Sequence, residues 1–325
     1  MVPYIDMHCD TLMRAYMNKQ QDVYELPENM LDVKRLQKGG ASAQFFAIFM
    51  LPESMREELQ EAFPKDWAYI EALLSIYNKT ITEHDESIGQ CINLNTYLDN
   101  KKTGKVNAIL SMEDGRAVAG KMDNLKWLRQ VGVRMMAPLW NYENCFGYPN
   151  SNDRTIMSKG LTCFGKEAIE VMEHLGILVD VSHLSDGGFW DVVKLSKKPV
   201  MASHSNCRAL APHRRNLTDD MIRALANKGG VMGLNFYGPF LNEDSSCMKS
   251  RFPEMLAHLK YMIKVGGSDL PAIGSDFDGM NGEFDIPDCS KMQLLFEAME
   301  RNGFTEEQIE KIAYKNVERV IKETF

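Results

Sequence analysis

Eight short apolar runs divide the chain, and most of them are continuous rather than strictly alternating between apolar and polar residues. They are residues 4–8 (YIDMH), 41–50 (ASAQFFAIFM), 106–113 (VNAILSME), 132–140 (GVRMMAPLW), 176–183 (GILVDVSH), 198–204 (KPVMASH), 229–237 (GGVMGLNFY) and 270–276 (LPAIGSD). A strand with one face in water shows period-two alternation. A strand buried on both faces reads as a continuous apolar run, which is the mark of a parallel sheet. Helical patterns lie between the runs. In KEAIEVMEHL, Ala168, Val171, Met172 and Leu175 form one stripe, and Gly176 ends it. Ser185 and Thr218 stand where N-caps are needed, Asp219 and Asp220 suit a first helical turn, and Thr305 with Gln308 makes a capping-box pattern.

Strands alternating with helices predict parallel βα units, and eight is the number that closes a (β/α)8 barrel. The expectation is therefore an α/β fold, a TIM-type (β/α)8 barrel in a single domain over residues 1–325, a length and a 44% hydrophobic content that suit one such barrel. A doubly wound open sheet is the alternative, but no GxGxxG or Walker-type glycine loop follows any run. Two connections are long, at about residues 51–105 and 141–165. Both leave the C-terminal end of a strand, the face where barrel enzymes build their sites, so both are expected over the mouth.

The formal net charge is −8 with no basic block, which argues against nucleic-acid or anionic-membrane partners. No run approaches the roughly 18 apolar residues of a membrane span. The opening MVPYIDMHCD lacks the basic and apolar regions of a signal peptide. There are seven cysteines and no CxxC pair; Cys91, Cys145, Cys163, Cys247 and Cys289 read as reduced thiols of a cytoplasmic protein.

Two successive runs end in histidine, His183 and His204. One strand-end histidine more often bonds a loop than binds anything. In a barrel, however, both point into the same mouth, and other strand ends carry ligand-type residues too. The first run ends with Asp6, His8 and Asp10 at period two, the third at Glu113, and the eighth at Asp276. His8, Asp10, Glu113, His183, His204 and Asp276 together form a mixed imidazole and carboxylate set of the kind that Zn²⁺ and similar divalent ions take. The set exceeds the three protein ligands of a single catalytic metal, so two ions sharing a carboxylate are expected. Asp6 and Asp278 have structural readings, as a barrel-bottom or cap residue and as support for the turn at Gly279. His174, His258 and His84 look unrelated to the site, and His213 is a loop residue near the mouth.

These residues lie in motifs that resemble the membrane (renal) dipeptidase family of the amidohydrolase superfamily over nearly the whole chain. The similar stretches are DMHCDT, GGASAQFFAIFM, SMEDGRA, GLTCFGKEAIEVMEHLGILVDVSHLS, ASHSNCRAL, RRNLTDDMIRA and IGSDFDG, in the same order. The resemblance implies a metal-dependent hydrolase with two zinc ions per chain and usually a homodimer. His8 and Asp10 would hold one ion, Glu113 would bridge, and His183 and His204 would hold the other. Asp276 would contact the bridging water, and Arg215 would pair with the substrate's terminal carboxylate. Animal members carry a histidine near the end of the fourth strand that contacts the reacting oxygen; here Trp140 takes that place and is a candidate substrate contact. The secretory signal and lipid anchor of animal members are not matched either, so membrane attachment is not carried over.

The expected chemistry is hydrolysis of dipeptides by a metal-activated hydroxide, with Asp276 moving the proton and the metals stabilising the oxyanion. Arg215 offers a planar, two-pronged donor for a carboxylate, unless it pairs with Asp219 or Asp220 instead. Two other readings remain at this point: an amidohydrolase acting on another amide, lactam or ester, and a non-catalytic metal-binding protein.

Overall fold

The computed structural model describes residues 1–58 and 63–325. The eight runs form eight parallel strands: β1 (Tyr4–Asp6), β2 (Ala41–Phe49), β3 (Val106–Glu113), β4 (Val133–Ala137), β5 (Leu178–Val179), β6 (Met201–Ala202), β7 (Val231–Leu234) and β8 (Pro271–Ile273). Their order is β5-β4-β3-β2-β1-β8-β7-β6. A parallel bridge between Asp180 and Met201 closes the ring, with the Val181 amide donating to the Met201 carbonyl at 2.8 Å. The (β/α)8 barrel is thus present.

The absence of alternation in the runs has its reason here. Phe46 packs its ring against Tyr77 of the surrounding helix Asp66–Glu83, while Phe45 belongs to a separate buried cluster with Ile5, Met7, Ile109, Met135, Met201 and Val231. Both faces of each strand are covered, one by helices and one by the packed barrel interior. Val317, Val320 and Ile321 of the last helix join that interior cluster and seal the end away from the ligand residues.

The N-caps fall as expected. Ser185 accepts from the Gly188 amide, Thr218 from the Met221 amide, and Thr305 and Gln308 exchange both capping-box bonds. Gly176 takes the left-handed conformation (φ 68°) that terminates helix Cys163–Leu175.

Regular strand pairing covers less than the apolar runs in β1, β5, β6 and β8, and His8, His183, His204 and Asp276 all lie beyond those strands, His8 and Asp276 just ahead of an isolated parallel bridge between Cys9 and Phe277. At those ends side chains supplement the ladder. Asp6 and Asp180 accept backbone amides that a continuing strand would otherwise pair. Asp6 is therefore neither a barrel-bottom residue nor a helix cap.

The long connection after β2 only partly covers the mouth. Leu51 and Met55 line the cavity there, whereas the chain from helix Asp66–Glu83 onward returns to a short strand, Ile88–Gln90, paired with the first residues of β3. The connection after β4 reaches the mouth with Trp140 and Asn141, and its Asn150 accepts a hydrogen bond from Arg214 at 2.9 Å. Among the described residues, no helix is long and apolar enough to cross a membrane.

Candidate metal centre

Glu113 is the last residue of β3, and its two oxygens face different partners. Oε2 lies 3.4 Å from His8 Nε2. Oε1 lies 2.7 Å from His183 Nε2 and 3.5 Å from His204 Nε2. His8 Nε2 is also 3.6 Å from Asp10 Oδ2 and 3.8 Å from Asp276 Oδ1. The His183 and His204 Nε2 atoms are 3.1 Å apart, and the His8 and His204 rings stack at 4.0 Å. All six residues expected at one mouth are there.

Local backbone geometry aims them. Asp10 directly precedes helix Thr11–Met17, whose Thr11 hydroxyl donates to Asp278 at 2.6 Å. Asp276 has φ 68°, a left-handed turn rare for a residue with a Cβ. Its Oδ2 accepts from Asn235 Nδ2 at 3.0 Å, which leaves Oδ1 toward His8. Gly279 lies so close to Asp10 Oδ2 and Asp276 Oδ1 that a Cβ there would overlap the Asp10 oxygen; only glycine lets the two carboxylates approach. Asp278 does not support the Gly279 turn, whose amide donates to the Asp276 carbonyl instead. It fastens Thr11, Asn29 and the Met30 amide beside the site.

Burial and charge act differently on each group. Burial works against a charged His8, but the Glu113 and Asp10 carboxylates overcome it and hold the imidazole well above its ordinary range. Burial would raise Glu113, yet His8 and His183 hold it well below the usual carboxylate range. Burial, then the Arg215 guanidinium, lowers His183 to about 4. Burial, then His8, lowers His204. Burial foremost lifts Asp276 to about 7; His8 opposes this, and the Asp10 and Glu113 charges add to it.

Two observations say what this cluster can hold. His8 Nε2 and Asp10 Oδ1 are buried without a hydrogen-bond partner, an arrangement that costs energy unless something else satisfies them. In addition, ligand atoms of His8, Glu113 and His204, and separately of His8, Asp10 and Asp276, lie within 4.8 Å of one another. The donor set fits divalent metal.

The cluster floors a cavity of about 650 Å³. Its walls divide. Met13, Met17, Phe49, Leu51, Met55 and Trp140 make an apolar side, and Trp140 packs edge-on against Phe49 at 5.2 Å. His213, Arg214 and Arg215 line another part. Arg215 is buried and contacts neither Asp219 nor Asp220; those carboxylates take Tyr261 and Arg223. Its guanidinium donates to the Ser182 and His204 carbonyls and lies 3.0 Å from His183 Nε2.

The sequence reading missed the residues beneath the ligands: Asp180, Ser203, Ser275, Asn235 and Asn141. Asn141 Oδ1 lies 3.2 Å from His183 Nδ1. The available signal was a serine directly before a ligand-type residue, at Ser182–His183, Ser203–His204 and Ser275–Asp276. His258, expected to be unrelated to the site, is buried. It accepts the Cys207 amide at 3.1 Å and lies 3.0 Å from the Leu241 carbonyl, tying helix Phe252–Gly266 to the Cys207 loop and to the short helix Gly238–Leu241.

Comparison with known proteins gives a consistent result. Residues 1–325 match the family model described as membrane dipeptidase (peptidase family M19). A Rhodobacter sphaeroides metallopeptidase, solved with a phosphinate mimic of the dipeptide L-Ala-D-Ala, is 27% identical with a TM-score of 0.90, covering 100% of this chain and 99% of that one. The M19 dipeptidase AC is also 27% identical with a TM-score of 0.90, covering 99% of each chain. A Schizosaccharomyces pombe protein described as an uncharacterized dipeptidase is 34% identical over 227 residues, which is 69% of this chain and 54% of the relative.

Proposed function

The chain belongs to the membrane dipeptidase family and is a metal-dependent peptide hydrolase; from that premise we propose that it cleaves dipeptides bearing a free C-terminal carboxylate, using two zinc ions. The observation that carries the reading is the division of Glu113, one oxygen toward His8 and the other toward His183 and His204. His8 and Asp10 would hold one ion, His183 and His204 the other, and Glu113 would bridge. A pair of such ions supplies Lewis acidity and lowers the pKa of water at neutral pH.

The chain's own groups do the rest. Asp276 Oδ2 is held by Asn235, so Oδ1 is the atom that takes the proton from the attacking water and later gives it to the leaving amine. A group lifted to about 7 is matched to that two-way transfer near neutral pH. Arg215, on the wall of the cavity, binds the substrate carboxylate through its planar fork. A carboxylate fixed at one distance from the cluster limits the substrate to two residues. Trp140 and Phe49 give an apolar part of the wall against which a substrate side chain packs. The R. sphaeroides neighbour's dipeptide-mimic ligand supports a small dipeptide as substrate.

The deciding experiment compares one dipeptide with its C-terminal amide on the purified protein, before chelation, after it, and after zinc is restored. Cleavage of the dipeptide, poor cleavage of the amide, and loss and recovery with zinc are expected. No cleavage across a dipeptide panel with any divalent ion would overturn the reading.

A further inference from the structure

Two buried aspartates beneath the ligand cluster hold their surroundings in the same pattern. Asp6 accepts the amide two residues ahead (His8, 3.3 Å), the Ser275 amide (2.9 Å) and the Ser275 hydroxyl (2.6 Å). Asp180 accepts the amide two residues ahead (Ser182, 3.0 Å), the Ser203 amide (2.9 Å) and the Ser203 hydroxyl. In both cases the aspartate ends or follows one strand, and the serine precedes a ligand-type residue after the neighbouring strand: Asp276 in one pair, His204 in the other.

The serine oxygens then do different things. Ser275 Oγ accepts the Phe277 amide at 3.2 Å and so props the turn that carries Asp276. Ser203 Oγ lies 2.7 Å from His204 Nδ1. Three acceptors lie within reach of its single proton, His204 Nδ1, Asp180 Oδ2 and, at 3.3 Å, Ser182 Oγ, and the carboxylate oxygen is the strongest of them. Asp180 Oδ1 already takes the Ser182 amide, the Ser182 hydroxyl and the Ser203 amide, while Oδ2 has the Ser203 hydroxyl as its one donor among the described residues. Turning that proton toward His204 would leave a buried carboxylate oxygen bare, which is costly. With its proton on Asp180, Ser203 Oγ can only accept, so His204 must carry hydrogen on Nδ1 and present the Nε2 lone pair to Glu113 and His183.

We propose that Asp180 and Ser203 are positioning residues that fix the tautomer and orientation of His204, while the matching pair Asp6 and Ser275 fixes backbone only. The assignment of His204 as a metal ligand rests on the function proposed above; the tautomer does not.

The tautomer is read by nitrogen NMR of the metal-free protein labelled with ¹⁵N-histidine, with His204 assigned by comparison with His204→Gln. The parent should show His204 as the Nδ1–H form. Asp180→Asn should reverse it, because an amide hydrogen placed at Ser203 Oγ drives the serine proton toward His204 Nδ1. Ser203→Ala should remove the preference, Ser203→Thr should restore it, and Ser275→Ala should leave it unchanged. Zinc titration of the same proteins should then show one of the two sites weakened by roughly 10–100-fold in Ser203→Ala and Asp180→Asn, the usual scale for such partners, and recovered in Ser203→Thr. An Nε2–H tautomer in the parent overturns the proposal, as does unchanged zinc affinity in both Ser203→Ala and Asp180→Asn. A parent that binds no zinc, yet shows the Nδ1–H form lost in Ser203→Ala, upholds the relay and sinks the metal reading instead.

Discussion

The two halves of the cluster present the same kind of site with opposite chemistry. Around β1 and β8, His8 is surrounded by the carboxylates of Asp10, Glu113 and Asp276, and two ligand atoms have no hydrogen-bond partner. Around β5 and β6, His183 and His204 are bonded at Nδ1 by Asn141 and Ser203, and a buried arginine stands beside them. The first half therefore holds excess negative charge and pulls its imidazole toward the charged form. The second holds neutral imidazoles, because burial and neighbouring positive charge both disfavour protonation. The difference teaches that a cation would offset like charge in one half, whereas in the other it would meet neutral imidazoles.

Glu113→Gln is the largest break in this comparison, because it removes the one residue that faces both halves. Metal content should fall well below the expected value of about two ions per chain, and dipeptide turnover with it. Elemental analysis checks this; full metal content in the variant would show that Glu113 does not bridge.

Asp276→Asn touches only the carboxylate-rich half and separates binding from chemistry. The amide keeps the shape but cannot take the proton. Metal content should be largely retained while kcat drops roughly 10²–10⁴-fold. Near-normal turnover would move the proton-transfer role elsewhere.

Arg215→Ala tests the imidazole half from the substrate side. A charge-assisted hydrogen bond is worth roughly 1.5–3 kcal/mol, so kcat/KM for a dipeptide should fall about tenfold or more. The loss should be absent for the C-terminal amide. Equal losses on both substrates would make Arg215 a brace for the Ser182 and His204 carbonyls and nothing more.

The smallest expected effect lies outside both halves and marks what is not specific to them. Burial holds His258 at about 4 in the folded protein, below the ordinary 6.5 of an exposed imidazole. As pH falls below 6.5 the unfolded chain takes up a proton that the folded chain refuses, so stability is lost between about pH 6.5 and 4. His258→Gln removes that titration. Its stability should depend less on pH across this window, by about 1–2 kcal/mol between pH 7 and 5 in denaturant melts. Parallel curves for the two proteins would rule the contribution out.

The barrel could be read in the chain because burial on both faces leaves a local trace, the unbroken apolar run, and because Ser185, Thr218, Thr305 and Gly176 act within one turn of their own helices. The six ligand-type residues could be read because five of them close such a run and Asp10 follows His8 at period two. Trp140 stood out only against the family pattern. Asp180 could not be read: a lone aspartate inside VDVSH looks the same whether it caps, solvates or clamps. The same holds for Asn235 and Asn141, whose partners lie 41 and 42 residues away.

The amino-acid sequence by itself therefore determined the eight barrel strands, though not the added strand Ile88–Gln90, together with the parallel α/β class, the family and the set of ligand-type residues, since all of these are patterns of neighbours along one chain. Only the tertiary structure decided which Glu113 oxygen meets which histidine, that Arg215 turns toward His183 and not toward Asp219, and that Asp6 and Asp180 grip Ser275 and Ser203. The physical reason is closure. Asp6 and Ser275 are 269 residues apart and touch only because β8 returns to β1, and a hydrogen bond of a few ångströms has no meaning until the ring that sets it exists.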